Sequence, residues 1–78
     1  MYEVEVSEGA VRQIRRLPVE VQERVNSAIG RLKDNPRPQG AKKLRGVEGY
    51  RIRVGNHRIL YRIYDAERLV VVWRVMSR

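Results

Sequence analysis

The stretch that decides the fold is Gly49–Ile63, GYRIRVGNHRILYRI, in which two runs of alternating apolar and polar residues flank the pair Gly55-Asn56. This pair predicts a two-residue hairpin turn, because the backbone of such a turn needs positive φ angles that Gly and Asn tolerate. The turn sets the register of the hairpin and places Arg53 directly opposite Arg58. The predicted strands are Tyr50–Val54 and His57–Tyr64.

Alternation assigns the side chains of this hairpin to two faces. One face is apolar and should pack in the core: Tyr50, Ile52, Ile59, Tyr61 and Ile63. The other face is dominated by arginine: Arg51, Arg53, Arg58, Leu60 and Arg62. Like charges opposite each other destabilise a sheet, so we infer that these arginines serve the binding of an anion rather than stability.

A last long strand is predicted from Leu69 to about Met76, over the run LVVVWRVM. Because side chains alternate, only every second residue of this strand can face the core, and we assign the set that begins at Leu69 to that face. This assignment requires an odd number of residues in the connection after Tyr64. The core phase is Leu69, Val71, Trp73 and Val75. Arg74 and Arg78 then join the arginine face, and Trp73 is predicted to be a core residue rather than an exposed aromatic.

The N-terminal half predicts one strand and two helices. The run YEVEV over Tyr2–Val6 alternates as a half-buried strand does. Ser7 suits the N-cap of a helix that carries Ala10, Ile14 and Leu17 at helical spacing and is interrupted at Pro18. Pro18 can open a second helix, whose apolar stripe includes Val21, Val25, Ala28, Ile29 and Leu32.

The segment Asn35–Gly40, NPRPQG, cannot continue that helix because two prolines remove backbone donors. A short strand near Lys42–Arg45 follows. These elements predict a single α+β domain over residues 1–78, in which an N-terminal strand and a two-helix hairpin pack on a mainly antiparallel, twisted sheet.

The net charge of +8 is concentrated in the second half of the chain. Residues 1–35 carry six basic and six acidic side chains, whereas residues 36–78 carry eleven basic and three acidic ones. This asymmetry favours a partner that is a polyanion, either nucleic acid or an acidic protein segment, over a basic surface that only aids solubility.

Composition also narrows the class of protein. The chain has no cysteine and a single histidine, which argues against disulfides and against thiolate or histidine-rich metal sites, so we expect neither metal nor cofactor. The longest apolar run, Leu69–Trp73, is far shorter than the roughly 20 residues of a membrane span. Met1 leads directly into a strand-like pattern rather than a signal peptide, so we expect a cytoplasmic protein without a membrane partner.

The element order, together with the segments KKLRG, YRIRVGNHRILYRI and VVVWRVMSR, resembles the RelE/ParE toxin superfamily of type II toxin–antitoxin modules. The resemblance covers essentially the whole chain and implies a RelE-like fold. For RelE-like members it implies an mRNA interferase that inhibits translation: an endoribonuclease that enters the ribosomal A site, contacts 16S rRNA and cleaves mRNA. It also implies a cognate antitoxin that neutralises the toxin in a heteromeric complex.

The chemistry implied by the resemblance is attack of a ribose 2′-hydroxyl on the adjacent phosphate, which needs a base, an acid and positive charge around the phosphorane. Matched to the family pattern by position, the catalytic residues are Arg51, Arg53, Arg58 and Arg78. The expected RNA-binding residues are Lys42, Lys43, Arg45, Arg62, Arg74 and Tyr64, with Tyr64 as a stacking aromatic. His57 is a candidate acid or base, whereas a guanidinium holds phosphate well but is a poor base.

Two other functions are compatible with the same residues. A ParE-like toxin that inhibits DNA gyrase acts by binding a protein and needs no nuclease site. A catalytically degenerate module that binds RNA or antitoxin needs only the basic surface. The fold alone does not decide among the three functions.

Overall fold

The computed structural model describes residues 1–77, which form two helices and a five-stranded sheet. The helices are α1 (Glu8–Arg15) and α2 (Val19–Arg31). The strands are β1 (Glu3–Val6), β2 (Lys42–Lys43), β3 (Tyr50–Val54), β4 (His57–Tyr64) and β5 (Leu69–Ser77). Their order in the sheet is β1-β5-β4-β3-β2, with β1 and β5 parallel and the other neighbours antiparallel. The predicted α+β class and mainly antiparallel sheet are confirmed.

The central hairpin has the predicted strand bounds and register. Val54 pairs with His57, and Arg53 pairs with Arg58. Gly55 has a φ of +58°, the positive value that the two-residue turn requires. The hairpin therefore follows directly from the local sequence.

The two helices cover one face of the sheet. The Ser7 side chain accepts a hydrogen bond from the Ala10 N–H at 3.2 Å and caps α1, as predicted. At the other end of α1 the Gln22 side-chain amide donates to the carbonyl of Leu17 at 2.8 Å. Neither helix within residues 1–77 is long and apolar enough to cross a membrane.

The core lies between these helices and the sheet. Its buried side chains come from both helices and three strands: Ala10, Ile14, Val25, Ala28, Ile29, Leu32, Ile52, Ile59, Tyr61, Val70, Val72 and Val75. Tyr61 is the largest fully buried side chain, and its hydroxyl donates to the Pro36 carbonyl at 2.7 Å. Burial raises the pKa of Tyr61 to about 12.

Strand β5 departs from the predicted phase. The connection after Tyr64 has four residues rather than an odd number, so Leu69 pairs with Tyr64 and Val70 pairs with Ile63. Val70 and Val72 are consequently buried. The assignment of Leu69, Val71 and Trp73 to the core is wrong, because none of the three belongs to the core or to the side chains packed against it.

A β-bulge restores the predicted phase farther along β5. Tyr61 pairs with Val72 and Leu60 with Arg74, so Trp73 is an extra residue between the two pairs. Val75 therefore pairs with Ile59 and is buried, as predicted. The sequence-based assignment assumed an unbroken strand, and alternation alone gives no sign of an extra residue.

Two side chains from the other elements hold the backbone at this bulge. The Gln13 side-chain oxygen of α1 accepts a hydrogen bond from the Val75 N–H at 2.7 Å. The Ser7 hydroxyl donates to the Trp73 carbonyl at 3.4 Å, and the Ser7 N–H donates to the Val72 carbonyl at 2.9 Å. The bulge is therefore integrated into the packing of α1 on β5.

An exposed polar network joins the proline-rich loop to the turn between β4 and β5. The Arg37 guanidinium donates to both carboxylate oxygens of Asp65, at 2.8 and 3.2 Å, and to the Tyr50 hydroxyl at 3.2 Å. The Tyr2 hydroxyl donates to Asp65 at 2.6 Å. The hydrogen bonds from Arg37 and Tyr2 lower the pKa of Asp65 to about 2.

Candidate nucleic-acid interface

The face of the sheet opposite the helices, called the open face here, carries most of the predicted site. Side chains directly opposite each other across the strands form rungs. One rung consists of Lys42, Arg51, Leu60 and Arg74, and the next consists of Arg53, Arg58 and Met76. Arg62 lies one rung farther along, opposite Val71. The basic cluster is Lys42, Arg51, Arg53, Arg58, Arg62 and Arg74.

The sequence-based prediction is confirmed for the geometry of this cluster. Arg53 and Arg58 are directly opposed on neighbouring strands, where side chains leave the backbone about 5 Å apart. Arg74 also reaches the predicted face, although it does so through the bulge. Four strands therefore contribute positive charge to one surface.

Three side-chain nitrogen atoms on the open face are hidden from solvent without an acceptor among residues 1–77: Nε of Arg58, Nε of Arg62 and Nε1 of Trp73. The arginine side chains are therefore partly laid down on the sheet rather than fully extended into water. A buried donor without an acceptor costs about 1–3 kcal/mol. A ligand rich in oxygen acceptors would remove that cost only if these side chains turned outward to meet it.

Negative charge marks one border of the open face. Glu3 and Glu5 on β1 pair with Leu69 and Val71 on β5, and both glutamates are exposed. Val71 on β5 lies between Arg62 on β4 and Glu5 on β1. The open face is therefore basic over β2, β3, β4 and, at Arg74, β5, and it is acidic at its β1 edge.

Several predicted site residues lie outside the basic cluster. Lys43 pairs with Tyr50, which places it on the helix-bearing face, and Arg45 lies in the loop after β2. Tyr64 lies on the open face opposite Leu69 and is 38% exposed. Arg78 lies outside the described residues.

His57 lies on the core phase of β4, away from most of the basic cluster. It pairs with Val54 and Ser77 and shares the phase of Ile59 and Tyr61. It lines a cavity with Gln13 of α1 and with Arg74, the one member of the basic cluster in that cavity lining. The role of His57 as acid or base stays a prediction.

Trp73 is the open-face residue that sequence reasoning missed. Trp73 belongs neither to the core nor to the side chains packed against it, which leaves it on the open face. Arg74 joins the same face by pairing with Leu60. The sequence signal that could have found it is the arginine at position 74. In an unbroken strand Val72 and Arg74 would share a face, so a buried Val72 together with an exposed Arg74 requires an inserted residue between them.

The arrangement can hold a phosphate backbone by charge and hydrogen bonds. Guanidinium groups match phosphate oxygens through paired donors and remain charged at all physiological pH values. These groups therefore suit anion binding and stabilisation of developing negative charge. Within residues 1–77 no three potential metal-ligating side chains converge.

Comparison with known proteins places the chain in a family. Residues 4–78 match the family model described as "ParE toxin of type II toxin-antitoxin system, parDE". The chain is 34% identical to a chain of the RelBE2 toxin–antitoxin complex of Mycobacterium tuberculosis, with a TM-score of 0.85 and coverage of 99% of this chain and 98% of that one.

Two further solved structures share the fold. A chain of the intact RelBE toxin–antitoxin complex of Escherichia coli is 26% identical, with a TM-score of 0.85 and coverage of 100% and 98% of the two chains. A chain of the RelE–RelB complex of Pyrococcus horikoshii is 23% identical, with a TM-score of 0.89 and coverage of 99% and 94%. This chain belongs to the RelE/ParE superfamily of type II toxin–antitoxin toxins.

Proposed function

We propose that this toxin is an mRNA interferase, an endoribonuclease that cleaves mRNA on the ribosome and is neutralised by a cognate antitoxin. The observation that carries the proposal is the basic cluster, which gathers six cationic side chains from four strands on one uncovered face. Electrostatic repulsion within the cluster is relieved when a polyanion lies between the side chains. Messenger RNA supplies that charge.

The proposed reaction is an in-line attack of the ribose 2′-oxygen on the adjacent phosphorus. The P–O5′ bond breaks, which leaves a 2′,3′-cyclic phosphate and a 5′-hydroxyl, and the proton lost by the 2′-hydroxyl is balanced by the proton gained at the 5′-oxygen. Arg51, Arg53 and Arg58 are proposed to orient the phosphate and to stabilise the charge that develops on it. Arg78 is proposed to act with them.

The test is cleavage of a defined mRNA in a reconstituted translation system, with the RNA ends mapped. Arg58→Ala should lower the cleavage rate by about 10²–10³, because one donor to the developing charge is lost. Arg12→Ala, which removes an exposed arginine from α1, is the matched control and should retain the wild-type rate. Equal rates for the two variants would exclude the open face as the site of cleavage.

The pH dependence of the rate separates the candidate bases. The guanidinium groups of the cluster do not release protons near neutral pH, so cleavage that relies on hydroxide rises continuously with pH. We expect this continuous rise, with His57→Gln close to wild type because His57 has the opposite strand phase to Arg51, Arg53 and Arg58. A rate that levels off near pH 7 and is abolished in His57→Gln would assign the base to the imidazole.

The antitoxin is proposed to neutralise the toxin by covering the same basic cluster with an acidic or amphipathic segment. The charge asymmetry supports this site, and the related chains from M. tuberculosis and E. coli come from toxin–antitoxin complexes. Calorimetry with the cognate antitoxin should show at least tenfold weaker binding for Arg58→Glu. Arg12→Glu, at an exposed position of α1, is the control, and weakening by that variant alone would move the antitoxin site to the helices.

The second candidate function is inhibition of DNA gyrase, which the description of the matching family model as a ParE toxin favours. A supercoiling assay with purified gyrase tests it beside the translation assay. Loss of supercoiling with intact mRNA would replace the nuclease proposal by the gyrase one. A chain without effect in both assays would be a binding module.

A further inference from the structure

We propose that Trp73 is a binding residue of the open face, on which single-stranded RNA stacks one of its bases. This inference rests on the proposed function, because it names a residue that would position the RNA substrate. It assigns to Trp73 a role in ligand binding rather than in packing of the core.

The bulge in β5 is what makes this role available. Val72 and Val75 are both buried in the same core, whereas in an unbroken strand residues three positions apart lie on opposite faces of the sheet. The inserted residue, Trp73, has no pairing partner on β4 and lies outside the core, next to Arg74, which pairs with Leu60. A large aromatic side chain has thus been placed outside the core at the border of the basic cluster.

The neighbours of Trp73 suit both the phosphate backbone and the bases of RNA. Arg62 and Arg74 lie on the rungs on either side of it and can hold phosphates. Leu60 and Val71 form the apolar strip next to it. A base can stack on the indole while its backbone follows the arginines, which is the usual arrangement in proteins that bind single strands.

The acidic border limits the path of the RNA. Glu5 pairs with Val71 on the far side of the apolar strip, where it repels phosphates and leaves room for an uncharged base. The charge pattern therefore predicts that the phosphates follow the arginines, including Arg74 on β5, and that a base lies over Trp73 toward the β1 edge. An acidic peptide would match the arginines equally well. It would not explain why an aromatic residue lies between the arginines and the acidic side chains of β1.

Unmet hydrogen-bonding capacity adds an independent observation. The indole Nε1 has no acceptor within the part of the chain that the structure describes, and the same holds for Nε of Arg58 and Nε of Arg62. All three nitrogens are hidden from solvent, so a ligand accepts hydrogen bonds from them only when the side chains turn outward on binding, and a ligand with many oxygen acceptors favours that change. RNA offers phosphate, ribose and base oxygens together with a surface for stacking.

The chain contains a single tryptophan, so its intrinsic fluorescence reports on this residue alone. The purified full chain is titrated with a short 2′-O-methyl RNA, which cannot be cleaved because the attacking hydroxyl is blocked. We expect quenching of the fluorescence upon binding. An oligonucleotide of the same length and charge without bases should bind with little quenching.

Variants separate stacking from charge. Trp73→Leu should weaken binding of the 2′-O-methyl RNA by about tenfold or more, whereas Trp73→Phe should keep most of the affinity because it keeps an aromatic face. Neither variant should change binding of the abasic oligonucleotide. Circular dichroism establishes that each variant is folded, and if Trp73→Leu is not, Trp73→Phe and the wild-type quenching decide.

Several outcomes would overturn the inference. They are equal quenching by the abasic oligonucleotide, unchanged RNA affinity in folded Trp73→Leu, and quenching by polyglutamate but not by RNA, which would assign Trp73 to a protein interface. Since the 2′-O-methyl RNA is never cut, base stacking without any mRNA cleavage would reject only the proposed function. Wild-type cleavage with unchanged RNA binding by Trp73→Leu would reject only the stacking role.

Discussion

The two faces of the sheet are built from the same strands and have opposite requirements. The helix-bearing face is filled mainly with apolar side chains, and the hydroxyl of its largest buried side chain, Tyr61, has an acceptor at 2.7 Å. The open face concentrates like charges and leaves three donors without acceptors among residues 1–77. We therefore expect an anionic ligand to stabilise the open face, whereas the helix-bearing face is packed by the chain's own helices.

The largest expected effect comes from placing a charged side chain on the core-facing side of β5. Val72→Lys places an unpaired charge in the core and should lower the free energy of unfolding by more than about 3 kcal/mol. Val71→Lys, one residue away on the open face, should change it by less than about 1 kcal/mol. Urea denaturation of both variants checks this, and the reverse order would restore the strand phase predicted from sequence alone.

A second prediction contrasts two tyrosines of β4 that face opposite ways. Because burial raises the pKa of Tyr61 from 10 in the unfolded chain to about 12 in the folded one, the folded state resists loss of this proton. The free energy of unfolding should therefore fall as the pH rises from 10 to 12, by about 2–3 kcal/mol from this group.

Tyr61→Phe should remove most of this alkaline loss, and Tyr64→Phe, on the open face, should not. Unfolding curves recorded at several pH values between 9 and 12 measure both variants. An alkaline loss that persists fully in Tyr61→Phe would assign it to other groups, of which Tyr2 is one, since the hydrogen bond to Asp65 raises the pKa of Tyr2.

A third prediction concerns the support that the helix-bearing face gives to the bulge. Gln13→Leu leaves the Val75 N–H without its side-chain acceptor and should lower the free energy of unfolding by about 1–2 kcal/mol. It should also shift the fluorescence of Trp73, because the bulge then relaxes. Arg12→Leu on the exposed side of α1 is the control and should alter neither quantity.

The smallest expected effect is at the acidic border. Glu5→Lys should leave stability nearly unchanged, since Glu5 is exposed, but should strengthen binding of single-stranded RNA several-fold at low salt. The gain should fade as the salt concentration rises. Glu20→Lys in α2 makes the same charge change on the other side of the molecule, and an equal gain there would mean that net charge alone sets the affinity.

Most of the fold could be predicted from sequence because it is determined locally. The Gly55 turn, the Ser7 cap and the prolines at 18 and 36 each fix a boundary through the backbone of one or two residues. The phase of β5 could not be predicted, since it depends on the length of the preceding turn and on an inserted residue. Both are held by contacts with residues distant in sequence, including Gln13.

In the candidate site, too, positions set by local sequence were predicted correctly, whereas positions set by distant contacts were not. The arginines of the hairpin were predicted correctly because one turn sets their register. Lys43 was predicted to bind RNA from its charge, but its place opposite Tyr50 puts it on the helix-bearing face. Trp73 was misplaced because its large apolar side chain and its alternation with Val71 and Val75 both indicated the core.

The position of β5 in the sheet has a consequence for how the protein is made. Strand β5 lies between β1 and β4, so β1 has no partner in the sheet until residues 69–77 have been synthesised. Arg74 also arrives only with this strand. For a toxin proposed to cut messages on ribosomes, this order means that neither the sheet nor the full basic cluster exists while the chain that precedes β5 is being made.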